Sequence, residues 1–432
     1  MSRKGAVAGV LALMLGGLVW AQEANAAVPA EDITSMKGQA TITIEGKADI
    51  AIVTSRVKDW SYDAGIGSTT YLGRRGDRWN ITDFGPDKMD LTFKVDACDN
   101  AWLITTLALD DAWNANGSYD QDQLLKEMYF VFDNLWCTGL GVKFGKQALP
   151  FGYDKDELFV HPYLDGYGNS ALTKIHNRGW SPEPQTGLLG KWFEAHPTTV
   201  DRVFAITPYY NLGDKLEFAF SVAQVNRQIG WNRKSKDDML FKTMAAQVFW
   251  KPIENLILQA SAITMYDVDG KGLSVQGNRF GTRSFATSLS ADYTFQIACR
   301  PFNVFAEWMH GWRPVHNFLS GYMGDTGYYR NSSSDDFHVG IAYNFTDALK
   351  VLAQGEWLRQ RQNFDYYGRN AIRETMWRYV LAAQYEMSTG MVLEAGYQYE
   401  RGKERARIPA VNAWARDRSS ANTFFAGVHW SF

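Results

Sequence analysis

Apolar and polar residues alternate with a period of two through most of this chain. Between Phe337 and Phe345 every odd position is large and apolar, whereas every even position is small or polar. The same alternation recurs at 89–96, 216–222 and 393–400. Because successive side chains of a β-strand point to opposite faces, each segment is predicted to be a strand with one apolar and one polar face.

Sixteen such segments follow one another, joined alternately by short turns and by long polar connections. An even number of antiparallel strands places both chain ends on the rim that carries the short turns, which is the topology of closed outer-membrane barrels. The sixth strand has two candidates, 186–193 and 202–210, and either one leaves the count unchanged. With the second candidate, the predicted strands are 39–53, 88–97, 102–111, 125–133, 139–147, 202–210, 215–225, 241–250, 255–266, 283–296, 302–311, 335–345, 349–359, 375–386, 391–401 and 421–432.

The long connections are rich in polar residues, Gly and aromatic residues. The longest, 149–200, follows the fifth strand and begins with the run Gly145-Lys146-Gln147-Ala148-Leu149-Pro150-Phe151-Gly152. All of them are predicted to lie on one rim of the sheet. They are 58–87, 114–124, 149–200, 226–240, 267–282, 312–334, 360–374 and 402–420.

The N-terminus is typical of an export signal. Two basic residues precede an apolar run from Ala6 to Trp20, and Ala24-Asn25-Ala26 offers small residues at the usual cleavage spacing. A single membrane anchor is the alternative, but about 20 apolar residues are expected for a span and this run is shorter. We therefore predict a signal peptide over residues 1–26 and a mature barrel over 27–432.

Composition excludes several classes of protein. The 432 residues include 44 Lys or Arg against 47 Asp or Glu, a formal net charge of −3, so no excess of cations exists to bind nucleic acid. No spacing of His, Cys or carboxylates matches a metal motif, and no motif for a nucleophile or a phosphate loop is found. We therefore expect no cofactor, no metal and no catalysis.

A soluble β-sandwich is the main alternative to a barrel, and the mean hydropathy of −0.30 is compatible with one. However, the polar face carries many Gly, Ala, Ser and Thr residues, and no linker divides the chain into domains. Closing the sheet also gives every backbone N–H and C=O group a hydrogen-bond partner, which is required because lipid tails offer none. The predicted fold is thus all-β, a transmembrane antiparallel barrel of about sixteen strands with short periplasmic turns and long extracellular loops.

The last strand supports this interpretation. It places aromatic and apolar residues on one parity and ends on Phe432, which resembles the C-terminal assembly signal of outer-membrane β-barrel proteins. The resemblance implies that the barrel assembly machinery recognises this strand. The residues that carry the signal are Phe424, Val428, Trp430 and Phe432.

Aromatic residues on the apolar parity are expected to form girdles at the two membrane interfaces. Several of them lie beside a predicted turn. The candidates are Trp250, Tyr293, Trp308, Tyr343, Trp357, Trp377, Tyr385 and Trp430.

The architecture as a whole resembles the general trimeric diffusion porins of the outer membrane of Gram-negative bacteria. The resemblance implies passive diffusion of ions and small hydrophilic solutes, a homotrimer, and contact with outer-membrane lipid and lipopolysaccharide. The run at 145–152 is also similar to one found in anion- and siderophore-type porins. A substrate-selective channel of anion, sugar or siderophore type is therefore an alternative function, and an outer-membrane barrel enzyme is a less favoured one.

Charged residues on the polar parity are candidates for lining the pore, because sixteen strands enclose a lumen too wide for side chains to fill. The pore-lining candidates are Lys47, Lys94, Lys143, Glu307, Lys350, Glu356, Arg378 and Glu394. In general porins the long loop after the fifth strand folds into the lumen, and this resemblance implies a constriction; a loop that caps the mouth or packs on a neighbouring subunit is the alternative. The constriction candidates are Asp154, Asp156, Glu157, Asp165, Lys174 and Arg178.

Two cysteines occupy neighbouring short turns of the predicted periplasmic rim. Because the periplasm is oxidising, Cys98 and Cys137 could form a disulfide, which would leave Cys299 as a free thiol in a third turn. Sequence alone leaves this pairing open, because it does not fix the distance between the two turns.

Overall fold

The computed structural model describes sixteen strands and the segments beside them. The residues it describes are 41–61, 78–98, 100–109, 124–135, 138–152, 203–224, 243–266, 283–312, 333–364, 370–408 and 413–432. The predicted signal peptide therefore lies outside the described residues. Among the described residues, no helix is long and apolar enough to cross a bilayer.

The strands form one closed antiparallel barrel in which each strand pairs with its neighbours in the chain and β1 pairs with β16. This confirms the sixteen-stranded barrel predicted from the alternating pattern. The strand bounds are β1 Thr41–Ser61, β2 Arg78–Cys98, β3 Ala101–Ala108, β4 Leu125–Leu135, β5 Leu140–Gln147, β6 Val203–Leu212, β7 Leu216–Gln224, β8 Thr243–Ile253, β9 Leu256–Tyr266, β10 Arg283–Ile297, β11 Arg300–Trp312, β12 Ser333–Asn344, β13 Leu349–Phe364, β14 Asn370–Ser388, β15 Met391–Ile408 and β16 Ala413–Ser431.

The two parities of each strand have opposite environments. On β16, Phe424 is 62% exposed, whereas its neighbour Phe425 is 5% exposed. On β1, Ile50 and Ile52 are exposed and Val53 is buried. The exposed apolar parity is the outer face of the barrel, and the buried, more polar parity is its inner face, as expected for a strand between lipid and lumen.

The sixth strand is Val203–Leu212, so the second of the two candidates is the one that forms. Three predicted long connections are wrong in part, because strands extend into them. β13 runs to Phe364 and β15 to Ile408, so that only 365–369 and 409–412 are left between strands from the predicted 360–374 and 402–420. β1 runs to Ser61 and β2 begins at Arg78, so that 58–87 is shortened to 62–77. The apolar alternation stops there because basic residues take the outward positions, while backbone pairing continues.

Strand length divides the barrel into a tall side and a low side. The six strands from β13 through β16 to β2 contain 16 to 21 residues each. β3 and β5 contain 8 residues each. Because a tilted strand needs about 9–11 residues to cross the hydrocarbon core, β3 and β5 on the low side are too short to span it.

The barrel closes where β1 meets β16, and the chain end takes part in that closure. The backbone groups of Gly46 and Phe432 exchange two hydrogen bonds of 3.0 Å. Pairing then continues from Lys47 opposite Ser431 to Ser61 opposite Asp417. The four predicted assembly-signal residues, Phe424, Val428, Trp430 and Phe432, all occupy the outward parity of this seam strand.

A cluster of apolar side chains lies on the inner face of β11 to β14, β16 and β1. It joins β11 through β16 to β1, so one packed layer crosses the closing seam. Phe425 covers Gly396 on the adjacent strand, where an added Cβ would lie 2.2 Å from the Phe425 ring and 2.6 Å from the carbonyl oxygen of Leu381. The members are Val53, Phe305, Ala342, Leu352, Val380, Ala382 and Phe425.

We predict that Gly396→Ala destabilises the barrel by about 1–3 kcal/mol, because the new methyl group overpacks against a ring and a backbone oxygen. Gly355→Ala is the matched control, since its Cβ would meet its neighbours at 3.7 Å or more. The measurement is urea unfolding of each variant in phospholipid vesicles. Equal free energies of unfolding for the two variants would contradict the packing described for Phe425.

Candidate functional site: the inner wall of the barrel

All eight predicted pore-lining residues occupy inward positions, but they differ in exposure. The lysines have most of the accessible surface, and the other four residues are buried within a packed layer of the wall. Strand parity shows which face a side chain lies on, but it does not show whether neighbouring side chains bury it. Lys47 is exposed, Lys94, Lys143 and Lys350 are half-buried, and Glu307, Glu356, Arg378 and Glu394 are buried.

Buried ionisable residues form a continuous row across five adjacent strands, β11 to β15. Glu307 is paired with His338, His338 with Glu356, Glu356 with Arg378, and Arg378 with Glu400. These five side chains are at most 8% exposed. We call this set the charge row. It places acidic and basic groups next to one another along the inner wall from β11 to β15.

Arg378 holds the centre of the charge row together. Its Nη1 atom lies 3.2 Å from Oε2 of Glu356, and its Nε atom lies 3.5 Å from Oε1 of Glu400. At the β11 end, the Ser288 hydroxyl donates a 2.6 Å hydrogen bond to Glu307. Because burying an isolated charge is costly, each carboxylate of the row depends on such neighbours.

A second network lies at the barrel seam, near the short-turn rim. Nδ1 of His429 is 2.9 Å from a carboxylate oxygen of Asp49, and Nε2 is 2.9 Å from one of Glu394. An imidazole ring donates from both nitrogens only in its doubly protonated form, so this geometry suits a charged His429 between two carboxylates. Three strands, β15, β16 and β1, are thereby joined through one side chain.

The opposite part of the wall, from β6 to β10, is lined by small residues. Ala205, Ser221, Ala223, Ala245 and Ala286 are each at most 2% exposed. The absence of bulky side chains at these positions leaves room for another segment of chain to lie against the wall.

The start of the long connection after β5 occupies that part of the wall. Leu149 and Phe151 pack against a cluster formed by Ala245, Ile263 and Ala286. At Gly152 the backbone N–H donates a 2.9 Å hydrogen bond to the Ser261 hydroxyl. Its carbonyl oxygen accepts hydrogen bonds from the side-chain amides of Gln247 and Gln259. The connection therefore turns inward over the small-residue wall as it leaves β5.

The predicted constriction residues Asp154, Asp156, Glu157, Asp165, Lys174 and Arg178 lie outside the described residues, which end at Gly152 in this segment. Cys137 and the side chain of Cys98 also lie outside them. Cys299 is an exposed free thiol in the turn between β10 and β11. Among the residues that the structure does describe, no group of three or more His, Cys, Asp or Glu could hold a metal ion.

Several residues of the inner wall were not singled out from the sequence. His338 and His429 fall on the inward parity, which is the signal that could have found them, but their partners are remote in sequence. The amides of Gln247 and Gln259 gave no signal, because only the folded chain brings Gly152 to them.

Comparison with known proteins gives matches in structure and none in sequence. No protein-family model matches the chain, and no curated protein matches it. The outer membrane channel DcaP of Acinetobacter baumannii is 12% identical with a TM-score of 0.54, covering 92% of this chain and 98% of that one. The anion-selective porin from Comamonas acidovorans is 12% identical with a TM-score of 0.52, covering 91% and 100%. At this identity the likeness is one of fold, and the fold is that of outer-membrane porins.

We predict that His429→Leu destabilises the barrel by about 3–5 kcal/mol, because it leaves the Asp49 and Glu394 carboxylates close together without the ring that joins them. Adding Asp49→Asn and Glu394→Gln should restore much of the loss. The measurement is the free energy of unfolding in urea, in phospholipid vesicles.

His310→Leu is the matched control for this network. His310 also contacts a carboxylate, that of Asp335 at 2.7 Å, but both side chains are about one-third exposed. An exposed pair of this kind contributes at most about 1 kcal/mol. A loss at His429 no larger than that at His310 would show that the seam network does not stabilise closure.

Proposed function

We propose that this protein is an outer-membrane porin of a Gram-negative bacterium that forms a water-filled channel for passive diffusion of ions and small hydrophilic solutes. The single observation that carries this proposal is the closed sixteen-stranded barrel with an apolar outer face and a polar, charged inner face. Inner side chains of such a wide barrel do not fill the middle, so water occupies the lumen. The fold shared with two channel proteins supports the same function.

The charges of the inner wall favour small polar solutes over apolar ones. Lys47 presents an exposed cation, and Lys94 pairs at 3.1 Å with Asp96, with both side chains more than one-third exposed. Mixed charges across a wet pore create a transverse field that favours dipolar and ionic solutes. The preferred solute is set by accessible groups of this kind. A substrate-selective channel is the second candidate, and the measurements below separate it from general diffusion.

The long connection after β5 is proposed to narrow the lumen. Its first residues dock on the inner wall through Leu149, Phe151 and Gly152, which supports this placement. The constriction would then be formed by the acidic and basic residues predicted for it. These are Asp154, Asp156, Glu157, Asp165, Lys174 and Arg178.

Export and assembly complete the proposal. Residues 1–26 would direct secretion and be removed, and the mature chain 27–432 would be inserted by the barrel assembly machinery through its last strand. The outward positions of Phe424, Trp430 and Phe432 leave this strand available to be recognised. The apolar outer face would then contact outer-membrane lipid and lipopolysaccharide.

A homotrimer is the proposed assembly. β3 and β5 are too short to cover the full hydrocarbon thickness, so a neighbouring subunit would have to cover this wall. The outward rings of Phe130, Phe132 and Phe144 supply an apolar contact surface on the same wall. Burying these rings against a second copy would remove them from the bilayer and cover the short strands of the low side.

Liposome swelling tests the proposed function. Vesicles that contain the full protein should swell in small sugars, with rates that fall smoothly as the sugar grows, because a water-filled pore selects by size. The triple variant Asp154→Asn, Asp156→Asn and Glu157→Gln should swell in the same sugars, while its reversal potential in planar bilayers shifts toward anions, because three negative charges are removed from the constriction.

Vesicles that stay tight to every sugar would contradict a diffusion channel. Rapid uptake of one solute class with exclusion of smaller sugars would favour the substrate-selective channel. An unchanged reversal potential in the triple variant would remove these three carboxylates from the constriction and leave the channel itself in place.

We predict that Phe144→Arg dissociates the trimer in detergent, because it places a charge in the apolar contact of the low wall. Leu381→Arg is the matched control, since Leu381 is similarly exposed, at 56% against 53%, but lies on the tall side. The measurement is the molar mass from light scattering after size-exclusion chromatography. A trimer that survives the first substitution and dissociates with the second would place the subunit contact on the other wall.

A further inference from the structure

Two aromatic side chains lie on the inner face of the low side of the barrel. Trp102 on β3 is paired with Val131, which is 2% exposed, and Tyr129 lies two residues before Val131 on β4, so both rings share its inward parity. The alternate residue Phe130 is exposed on the outer face. Both inward rings are half-buried, so part of each is accessible from the lumen. Because apolar ring surface in contact with water is unfavourable, a solute that covers it is stabilised there.

Strand register brings the two rings together. Trp102 is opposite Val131, and Tyr129 precedes Val131 by two residues, so the rings are diagonal neighbours on β3 and β4. Diagonal positions are about 7–8 Å apart, which is within reach of aromatic side chains. Both rings also pack against a buried cluster of Val131, Tyr209 and Ala219. We call Trp102 and Tyr129 the aromatic patch.

Tyr209 is part of the wall that supports the aromatic patch. Its ring lies over Gly141, where an added Cβ would be 2.1 Å from the ring carbon Cζ. Its hydroxyl donates a 2.8 Å hydrogen bond to Asp133, as a buried tyrosine hydroxyl usually requires. Tyr209 is only 8% exposed. The aromatic surface open to the lumen is therefore that of Trp102 and Tyr129.

Polar groups border the aromatic patch along the wall. Backbone pairing from β2 to β5 forms one lateral row of Asp96, Trp102, Val131 and Lys143. On the β2 side, Nζ of Lys94 lies 3.1 Å from a carboxylate oxygen of Asp96 and 5.3 Å from the centre of the Trp102 ring. Both of these charged side chains are more than one-third exposed. An ammonium group and a carboxylate therefore lie beside one accessible ring.

The two signs of charge are balanced around the aromatic patch. Lys94 and Asp96 lie on its β2 side, and Lys143 and Asp133 lie on its β4 and β5 side. Nζ of Lys143 is 5.4 Å from the centre of the Tyr209 ring, whose hydroxyl is bonded to Asp133. An anionic ligand would meet two carboxylates, and a cationic ligand would meet two ammonium groups. The arrangement favours a neutral ligand that both donates and accepts hydrogen bonds.

Inward rings elsewhere on the described wall have different surroundings. Phe305 and Phe425 belong to the apolar cluster of the opposite wall and are at most 5% exposed, so a solute in the lumen does not reach them. Phe249 on β8 is half-buried, and its paired neighbours are Glu217 and Gln259. The aromatic patch differs from these sites because two accessible rings lie next to a charge-balanced border.

We propose that the aromatic patch and its bordering charges bind a neutral sugar as it passes through the lumen. A pyranose ring has a face of C–H groups that packs on an aromatic ring, and a rim of hydroxyl groups that donate and accept hydrogen bonds. Trp102 and Tyr129 contact the C–H face, and the hydroxyl groups bond to charged neighbours such as Lys94 and Asp96. The inference rests on the proposed function, because a sugar reaches this wall only through a water-filled lumen.

The test measures the binding of maltotriose, a neutral trisaccharide of glucose, to the full chain by isothermal titration calorimetry in a detergent without a sugar headgroup. Trp102→Leu keeps an apolar side chain but removes the ring, so it should weaken binding about tenfold, roughly the loss of one aromatic contact. Trp102→Phe restores a ring and should recover most of the affinity. Tyr129→Leu should weaken binding in the same way as Trp102→Leu.

Phe249→Leu is the matched control. It also removes an inward, half-buried ring that lies beside a lysine, since Nζ of Lys251 is 5.3 Å from the ring centre, but it lies outside the aromatic patch. This variant should bind maltotriose as the unaltered chain does. An unchanged midpoint of urea unfolding in each variant shows that the barrel has folded.

The charge of the sugar gives a second measurement. Methyl glucoside should displace maltotriose more effectively than glucuronate or glucosamine, which add a negative or a positive charge to the same ring. More effective displacement by either charged sugar would show that charge, rather than the ring face, selects the solute, and would overturn the inference.

Two results separate this inference from the proposed function. A protein that conducts in planar bilayers but does not bind maltotriose overturns the inference alone, whereas one that binds maltotriose but does not conduct overturns the channel alone. Equal affinities of the Trp102→Leu and Phe249→Leu variants would show that the sugar binds elsewhere, and would also overturn the inference.

Discussion

The closed hydrogen-bonded sheet is the constraint on which the rest of the structure depends. A backbone that crosses hydrocarbon must satisfy each N–H and C=O group within the protein, and a sheet does so only when its first strand pairs with its last. Here that closure is the pairing of β1 with β16, reinforced by the bonds between Gly46 and Phe432 and by His429 between Asp49 and Glu394. Once the seam is closed, parity alone decides which side chains meet lipid and which meet the lumen.

The inner wall has two regions with different chemistry. From β6 to β10 it is made of small residues, and a segment of the chain folds over it at Leu149 to Gly152. From β11 to β1 it carries an apolar cluster and a row of buried charges centred on Arg378. Buried ion pairs add little net stability because desolvation offsets their attraction, but removing one partner is costly. We therefore expect the charge row to hold the strands of this wall in place. Accessible lysines such as Lys47 are expected to interact with the solutes that pass through.

The outer wall of the tall strands changes in character from the short-turn rim to the rim of the long connections. On β15 the exposed apolar Leu393 is followed along the outer face by Tyr397 and Tyr399 and then by the cations Arg401 and Lys403. Each band suits the layer of a membrane that it would meet, namely hydrocarbon, interface and headgroups. The low wall of β3 to β5 lacks this height, so its exposed Phe130 and Phe144 suit contact with another subunit.

The sequence by itself determined the strands, their number and their two faces. The reason is that the alternation of apolar and polar residues is a property of each short segment, and segments with this alternation pair as strands. It also placed all eight pore-lining candidates on the inward parity. It did not show that Glu307, Glu356, Arg378 and Glu394 would be buried, because burial depends on neighbours brought together only by closure. The parts of β15 and β16 that lie nearest the long connections were not predicted to be strands, because cations there replace the apolar residues that mark a strand. Only the tertiary structure could bring Asp49 to His429 and Gly152 to Gln247, since those contacts join residues far apart in the chain.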